Sequence, residues 1–186
     1  MLKKLFSVLL VICAFLFAVT GTVDAAPHVK ASQMGLGGVF IGTRMQDVVA
    51  TYGQPRLIDT WMDGRGGRTQ YPARTYQYGN SVIFDTWQGP TGVEVVVYIE
   101  VTADNGWATP DGVHVGQTFA DMHRALGRYE YMDVDEKLKK KGQPAAFICY
   151  EAADRSMMSM LFYSEDNGSS DLSTYTIRKI VVAQGH

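Results

Sequence analysis

Cysteine is nearly absent from this 186-residue chain, which holds only Cys13 and Cys149. Two thiols cannot staple a disulfide-dense mini-protein or fill a four-thiolate zinc site. An excess of positive charge is missing too: 17 Lys and Arg stand against 19 Asp and Glu, for a formal net charge of −2. A general nucleic-acid binder needs a basic surface to displace counterions, so that class is set aside. The histidines His28, His114, His123 and His186 are scattered, and none is paired at a metal-ligand spacing. No Gly-x-Ser-x-Gly elbow occurs. Gly35 to Gly42 is glycine-rich but lacks the Lys-Ser/Thr ending and the preceding strand of a phosphate loop. No metal and no cofactor is therefore expected. With 46% hydrophobic and 19% charged residues, the remainder is an ordinary globular composition.

Long apolar runs are also scarce. Leu5 to Val19 is the one that stands out, preceded by Lys3-Lys4 and followed by small residues up to Ala25-Ala26-Pro27. It falls short of the roughly 20 residues that span a bilayer core, and its flanks are those of a secretory signal peptide. Cleavage is expected after Ala25, because cutting after Ala26 would put Pro27 directly beyond the cut. Ile12, before Cys13, is not the small residue of a lipobox, so Cys13 is expected to leave with the leader. Loss of 1–25 removes Lys3, Lys4 and Asp24 and makes the mature chain one unit more acidic. The expected location is secreted or periplasmic, with no stable membrane span. Cys149, in the apolar stretch Ala145 to Tyr150, is then alone and can form no internal disulfide. The simplest account is a small buried hydrophobe on a strand. A nucleophile or an intermolecular bridge are the alternatives, and no Lys, Arg or His adjoins it to favour a thiolate.

What is present is a repeat. Gly38 to Gly53, GVFIGTRMQDVVATYG, aligns without a gap on Gly112 to Gly127, GVHVGQTFADMHRALG. Three glycines, one valine and one aspartate coincide, and the pairs Ile41/Val115, Met45/Phe119, Val48/Met122 and Tyr52/Leu126 keep their apolar character. Each copy reads as a short extended entry, a turn and a short helix. Thr43 and Thr118 are the expected caps, and Thr118 with Asp121 has the spacing of a capping box. Gly53 and Gly127 are the expected helix stops. Helices this short do not persist alone in water and must pack on something.

That something reads as sheet. Strands are expected over Thr75–Tyr78, Ser81–Thr86 and Val93–Val101, then over Ala146–Glu151, Met157–Tyr163 and Thr174–Val182, with turns between. In the third, Val93, Val95, Val97, Ile99 and Val101 alternate with Glu94, Val96, Tyr98 and Glu100, the period of a strand with one buried face. Short turns give antiparallel meanders, so the expected class is α+β: two tandem repeats, each a short helical segment on an antiparallel three- to four-stranded sheet. The expected division is 1–25 signal peptide, 26–37 flexible lead, 38–103 first repeat, 104–111 linker and 112–186 second repeat.

The run Thr109 to Gly116, followed by a helix ending at Leu126-Gly127, resembles the repeat unit of the beta-lactamase inhibitory protein-like fold. It is also similar to the SmpA/OmlA (BamE) lipoproteins of outer-membrane assembly. The resemblance spans about Gly35 to Ala183 and implies a small helical layer on an antiparallel sheet, in tandem for the inhibitor-type members. It rests on glycines, caps and core positions, which report fold and not activity, so no family binding residue is carried over. Two departures matter: the lipobox is absent, and Gly127 is followed by Arg128-Tyr129 where Gly53 is followed by Gln54-Pro55.

Candidate surfaces come from composition. Met62 to Arg74 mixes arginines, glycines and Tyr71 beside Trp61, and Arg with aromatics is the composition of binding hot spots. A hairpin tip collects the same residues. Asp133 to Lys141, acidic and then basic, reads as a solvated insertion. One short helix per repeat leaves sheet uncovered, which makes Val96, Tyr98, Trp87 and Met157–Tyr163 candidates for exposed apolar surface. Two sheets covering each other, or a homodimer, would also hide that surface. The expected function is a non-enzymatic, inhibitor-like protein-binding module outside the cytoplasm, contacting another protein through Trp61, Arg65, Arg68, Tyr71, Trp87 and Tyr98. The alternatives are a Cys149-dependent envelope enzyme and a structural envelope-assembly accessory protein.

Overall fold

The computed structural model describes residues 29–64, 69–153 and 157–185. The expected leader over 1–25, together with His28, Arg65, Arg68 and His186, lies outside the described residues. Helices α1 (Met45–Tyr52) and α2 (Phe119–Leu126) form within the two aligned segments. Both stop at the expected glycines, Gly53 at φ 82°, ψ −170° and Gly127 at φ 79°, ψ −154°. That region is essentially closed to residues with a Cβ. Helix α2 opens on the expected capping box: the Asp121 amide donates to Thr118 Oγ1 at 3.1 Å, and the Thr118 amide donates to Asp121 Oδ2 at 3.3 Å. Helix α1 differs. Its cap position is Arg44, with no side-chain cap, and Arg44 Nε instead pairs with Asp47 at 2.8 Å. Thr43 stands one residue too early, and its hydroxyl accepts from the Phe40 amide at 3.1 Å.

The sheet is one piece. After a two-stranded ribbon, β1 (Gly35–Leu36) with β2 (Val39–Phe40), the strands β3 (Arg56–Asp63), β4 (Tyr71–Tyr78), β5 (Val82–Gln88) and β6 (Glu94–Val101) form an antiparallel meander. Strand β7 (Tyr131–Val134), the one-turn helix α3 (Glu136–Lys140), β8 (Ala146–Glu151), β9 (Met158–Ser164) and β10 (Lys179–Gln184) supply a second meander. The two join edge to edge through β6 and β10, with Ile99 opposite Val182 and Val101 opposite Ile180. The order is β3-β4-β5-β6-β10-β9-β8-β7, antiparallel at every step. The α+β class stands. The expectation of two sheets of three to four strands is corrected to a single eight-stranded sheet, because β6 and β10 satisfy each other's backbone groups.

Strands β3 and β7 were not anticipated. In β3 the register shifts between Leu57 and Asp59. The extra residue, Ile58, breaks the period-two signal by which a strand is read. A second bulge, where Asp85 opposes Tyr98 but Thr86 opposes Val96, does the same in β6. It turns Val96 into the core, where it is fully buried, and leaves Val97 outside the core cluster. The expectation that Val96 belongs to the uncovered face is thereby overturned. The expected strand over Thr174–Val182 begins only at Lys179, since Leu172–Thr174 is a single 3-10 turn.

One face of the sheet carries the core. Phe84, Ile99, Ile180, Met160, Phe162, Ile148 and Tyr150 pack there against Met45 and Val48 of α1 and Phe119, Met122 and Leu126 of α2. The described part of the expected lead, 29–37, belongs to this core: Met34 and Leu36 are fully buried. The expected linker 104–111 is tied in as well. Ala108 bridges His114, its carbonyl accepts from the Gly37 amide at 2.8 Å, and Trp107 packs on Tyr52 and Phe84 at ring separations of 4.9 and 5.6 Å. Among the described residues no helix is long and apolar enough to cross a membrane.

Candidate binding face

In an antiparallel sheet, residues directly opposite each other point to the same face, so register assigns every side chain. Asp59, Thr75, Asp85, Tyr98, Ala183, Ser159 and Glu151 form one row across seven strands. Gln77, Ile83, Glu100, Val181, Leu161, Cys149 and Tyr131 form the next. Neither row contributes to the core cluster, which takes its sheet residues from the opposite face. Helices α1 and α2 contribute their buried side chains to the core, on the face opposite this outer one.

The register places the described members of the expected site together on this face. Trp61 opposes Ala73, which opposes Trp87, and Tyr71 opposes Asp63. Tyr71 and Trp87 meet edge to face at 5.7 Å, and their sheltering side chains accompany an Ala73 that is only 1% exposed. The Trp87 indole N–H donates to the Asp63 carbonyl at 3.4 Å. A shallow cavity of about 250 Å³ is lined by Trp61, Asp63, Asp85, Val97, Tyr98, Ala183 and Gln184. Of the six expected contact residues, Arg65 and Arg68 lie outside the described residues.

Polar groups punctuate the aromatics. The Tyr98 hydroxyl donates to Glu100 Oε2 at 2.5 Å, and Thr75 Oγ1 donates to Asp85 Oδ1 at 2.6 Å. Burial first, and the neighbouring Glu100 second, push the Tyr98 phenol far above its ordinary range, so it stays a neutral donor. Lys179 Nζ lies 3.8 Å from Glu100 Oε2 and 4.3 Å from the centre of the Tyr163 ring, a cation held by a carboxylate and a π face together.

A second aromatic group completes the face in the other meander. Tyr131 and Phe147 meet at 6.0 Å, and Phe147 and Tyr163 at 5.3 Å. Tyr131 is not legible in the sequence because β7 is not; Phe147 lies on the expected strand β8, where its alternation with Cys149 against Ile148 is the available signal. Cys149 lies among them, 2% exposed. Burial raises its thiol pKa, although a hydrogen bond with Tyr131 opposes the rise. The same bond, followed by burial, pushes Tyr131 up to about 12. His114 and His123 sit apart from this face: His114 Nδ1 lies 3.4 Å from Asp104 Oδ1, and the His123 ring abuts Tyr129. Among the described residues no three His, Cys, Asp or Glu side chains gather to hold a metal ion.

A larger cavity, about 710 Å³, opens on the helix side between α1, Leu57 and the β5–β6 hairpin. Its floor holds Glu94, which takes a hydrogen bond from Tyr76 at 3.1 Å and an ion pair from Arg74 at 3.2 Å. Those groups answer one another. No protein-family model, curated protein or solved structure matches the chain.

Proposed function

We propose that the protein is an exported, non-enzymatic protein-binding module of inhibitor-like type that engages a partner protein with the outer face of its sheet. The observation carrying this reading is the convergence of Trp61, Tyr71, Trp87 and Tyr98 on one face, opposite the face that builds the core. Half-buried aromatics with polar handles supply large contact area at little entropic cost, which is the usual chemistry of interface hot spots. In sequence, Arg65 and Arg68 fall between β3 and β4, the strands that present Trp61 and Tyr71. In this reading the chain comprises two tandem units, each a short helical segment on an antiparallel three- to four-stranded portion of sheet, and the resemblance to the beta-lactamase inhibitory protein-like fold implies such a helical layer on sheet in tandem. The Cys149 enzyme is disfavoured by a thiol that is buried and whose pKa is raised first by that burial and further by the nearby Glu151 and Glu130 carboxylates.

Pull-down from a cell-envelope extract tests the proposal, with the wild type beside Trp87→Ala, Tyr98→Ala and the Arg65→Ala/Arg68→Ala pair. Loss of a specific partner from the folded variants is the expected outcome. Equal recovery by all of them would remove this surface from consideration.

A further inference from the structure

Strand β3 is an outer edge of the sheet. It is eight residues long and exposes Leu57, Ile58 and Met62 at 52%, 49% and 52%. An edge of that length and character is a template for another strand. No lysine or proline lies between Arg56 and Asp63; the edge instead carries the bulge at Ile58 and the charges of Arg56, Asp59 and Asp63, which select the register of any strand that pairs there. We propose that β3 pairs antiparallel with β3 of a second copy of this chain, across a two-fold axis at Thr60.

The argument is one of register. Against β4, Leu57, Thr60 and Met62 pair with Tyr76, Arg74 and Pro72 and so point to the helix side. Arg56, Asp59, Trp61 and Asp63 pair with Gln77, Thr75, Ala73 and Tyr71 and point outward. The bulge absorbs Ile58 and leaves seven paired positions with Thr60 at their centre. A symmetric antiparallel pair requires an odd number of that kind, because each residue must meet one on its own face. The resulting register sets Arg56 against Asp63 of the second copy, Leu57 against Met62, Asp59 against Trp61 and Thr60 against itself. Opposite charges meet at both ends and exposed apolar side chains cover each other between them. The two neighbouring registers are excluded by charge: one sets Asp59 against Asp59, the other Asp59 against Asp63. At the centre, the Thr60 amide donates to the Asp59 Oδ1 beside it at 2.7 Å, a local bond that a second strand's carbonyl would replace.

This surface is the strand edge and meets the outer face at Trp61 and Asp63, but the variants that test it, at Arg56 and Asp63, leave Tyr71, Trp87 and Tyr98 in place, so failure of one proposal is distinguishable from failure of the other. Sedimentation velocity over a range of concentrations gives the test. The wild type is expected to double its mass as concentration rises. Arg56→Asp alone, or Asp63→Arg alone, sets like charges together at both ends and raises the dimer dissociation constant about ten-fold or more. Mixing those two variants restores association, because each end then carries opposite charges again. Thr60→Pro removes the central amide and is expected to weaken association in variants that still fold. Should Asp63→Arg fail to fold by circular dichroism, Leu57→Lys, at an exposed position, must weaken association by itself. A wild type that remains monomeric throughout overturns the proposal. So do folded charge variants that associate like the wild type, or fail to associate when mixed.

Discussion

Replacing Gly37 by alanine gives the sharpest test of how the N-terminal segment is held. Gly37 adopts φ +60°, and a Cβ placed on it would lie 2.4 Å from Trp107 Cε3 and 2.6 Å from Cδ2. Those are atoms in the body of an indole ring wedged between Tyr52 and Phe84, so the ring cannot swing away as the end of a flexible side chain would. The Gly37 carbonyl also accepts the Tyr52 hydroxyl, and its amide binds Ala108, so the backbone cannot retreat without losing both. The left-handed backbone costs alanine about 1 kcal/mol. Overpacking of a filled site adds roughly 1–3 kcal/mol. The sum, about 2–4 kcal/mol, corresponds to a fall in Tm of roughly 5–15 °C for a chain of this size. Thermal unfolding followed by circular dichroism measures it. Gly42→Ala is the control: Gly42 has φ +89° with nothing within 4 Å of its added Cβ, so it should lose only about 1 kcal/mol of backbone energy. If Gly37→Ala melts with Gly42→Ala, the segment is not wedged against Trp107 and the reasoning fails. In a Trp107→Leu background the two glycine substitutions should become equivalent.

Thr118→Ala removes the cap of α2 and is expected to cost about 1 kcal/mol by urea denaturation. The Thr118 hydroxyl and amide, and then Arg124, hold the Asp121 carboxyl below the ordinary aspartate range. A carboxylate depressed on folding contributes stability that is full above its unfolded pKa and lost as pH falls through its folded one. Asp121→Asn should therefore destabilise at neutral pH and become silent in acid, as read from Tm against pH. Glu100→Ala strands the Tyr98 hydroxyl and the Lys179 ammonium together and is expected to cost about 1–3 kcal/mol in the same urea assay. Glu100→Gln, whose amide oxygen still accepts, should cost less. The Cys149 thiol, 2% exposed and raised in pKa first by burial, should resist labelling in the native protein and react fully once unfolded. Rapid native labelling would revive the nucleophile.

The helices were legible because their signals are local. Thr118, Asp121 and Gly127 act within one or two turns, and a window on the sequence contains every partner of the capping box. The strands were legible where alternation is unbroken, as in Ala146–Glu151, and lost where a bulge intervenes, as at Ile58. Union into one sheet was not legible. It depends on β6 meeting β10, whose partners Ile99 and Val182 are far apart in sequence, and no local pattern distinguishes sheets joined by edges from sheets packed by faces. The packing of the lead is not legible for a related reason. Gly35, Gly37 and Gly38 have the composition of a flexible segment, while Trp107, which fixes Gly37, lies remote in the chain. For the site, Trp61, Tyr71, Trp87 and Tyr98 were chosen by residue type. Their convergence is a consequence of register that composition could not supply.

Register also explains how so aromatic a face remains compatible with a folded chain in water. A dry apolar stripe across eight strands would be an aggregation surface. Here each row is interrupted: Glu100 stands between Ile83 and Val181, Asp85 between Thr75 and Tyr98, and Lys179 beside Tyr163. These groups answer neighbouring hydroxyls or a ring, so they hold their positions without isolating charge in an apolar setting. Aromatic bodies beside fixed polar groups form a surface that water wets yet a complementary protein can desolvate. The opposite face needs no such device, because the two helices and the N-terminal segment cover it. The division of labour between the faces rests on the two bulges. Each inserts one residue, so Thr60 and Val96 reach the helix side while Trp61 and Tyr98 still point out. Without the bulge at Val97, period two would carry Val96 outward beside Tyr98, exposing a core valine and opening the packing beneath α1.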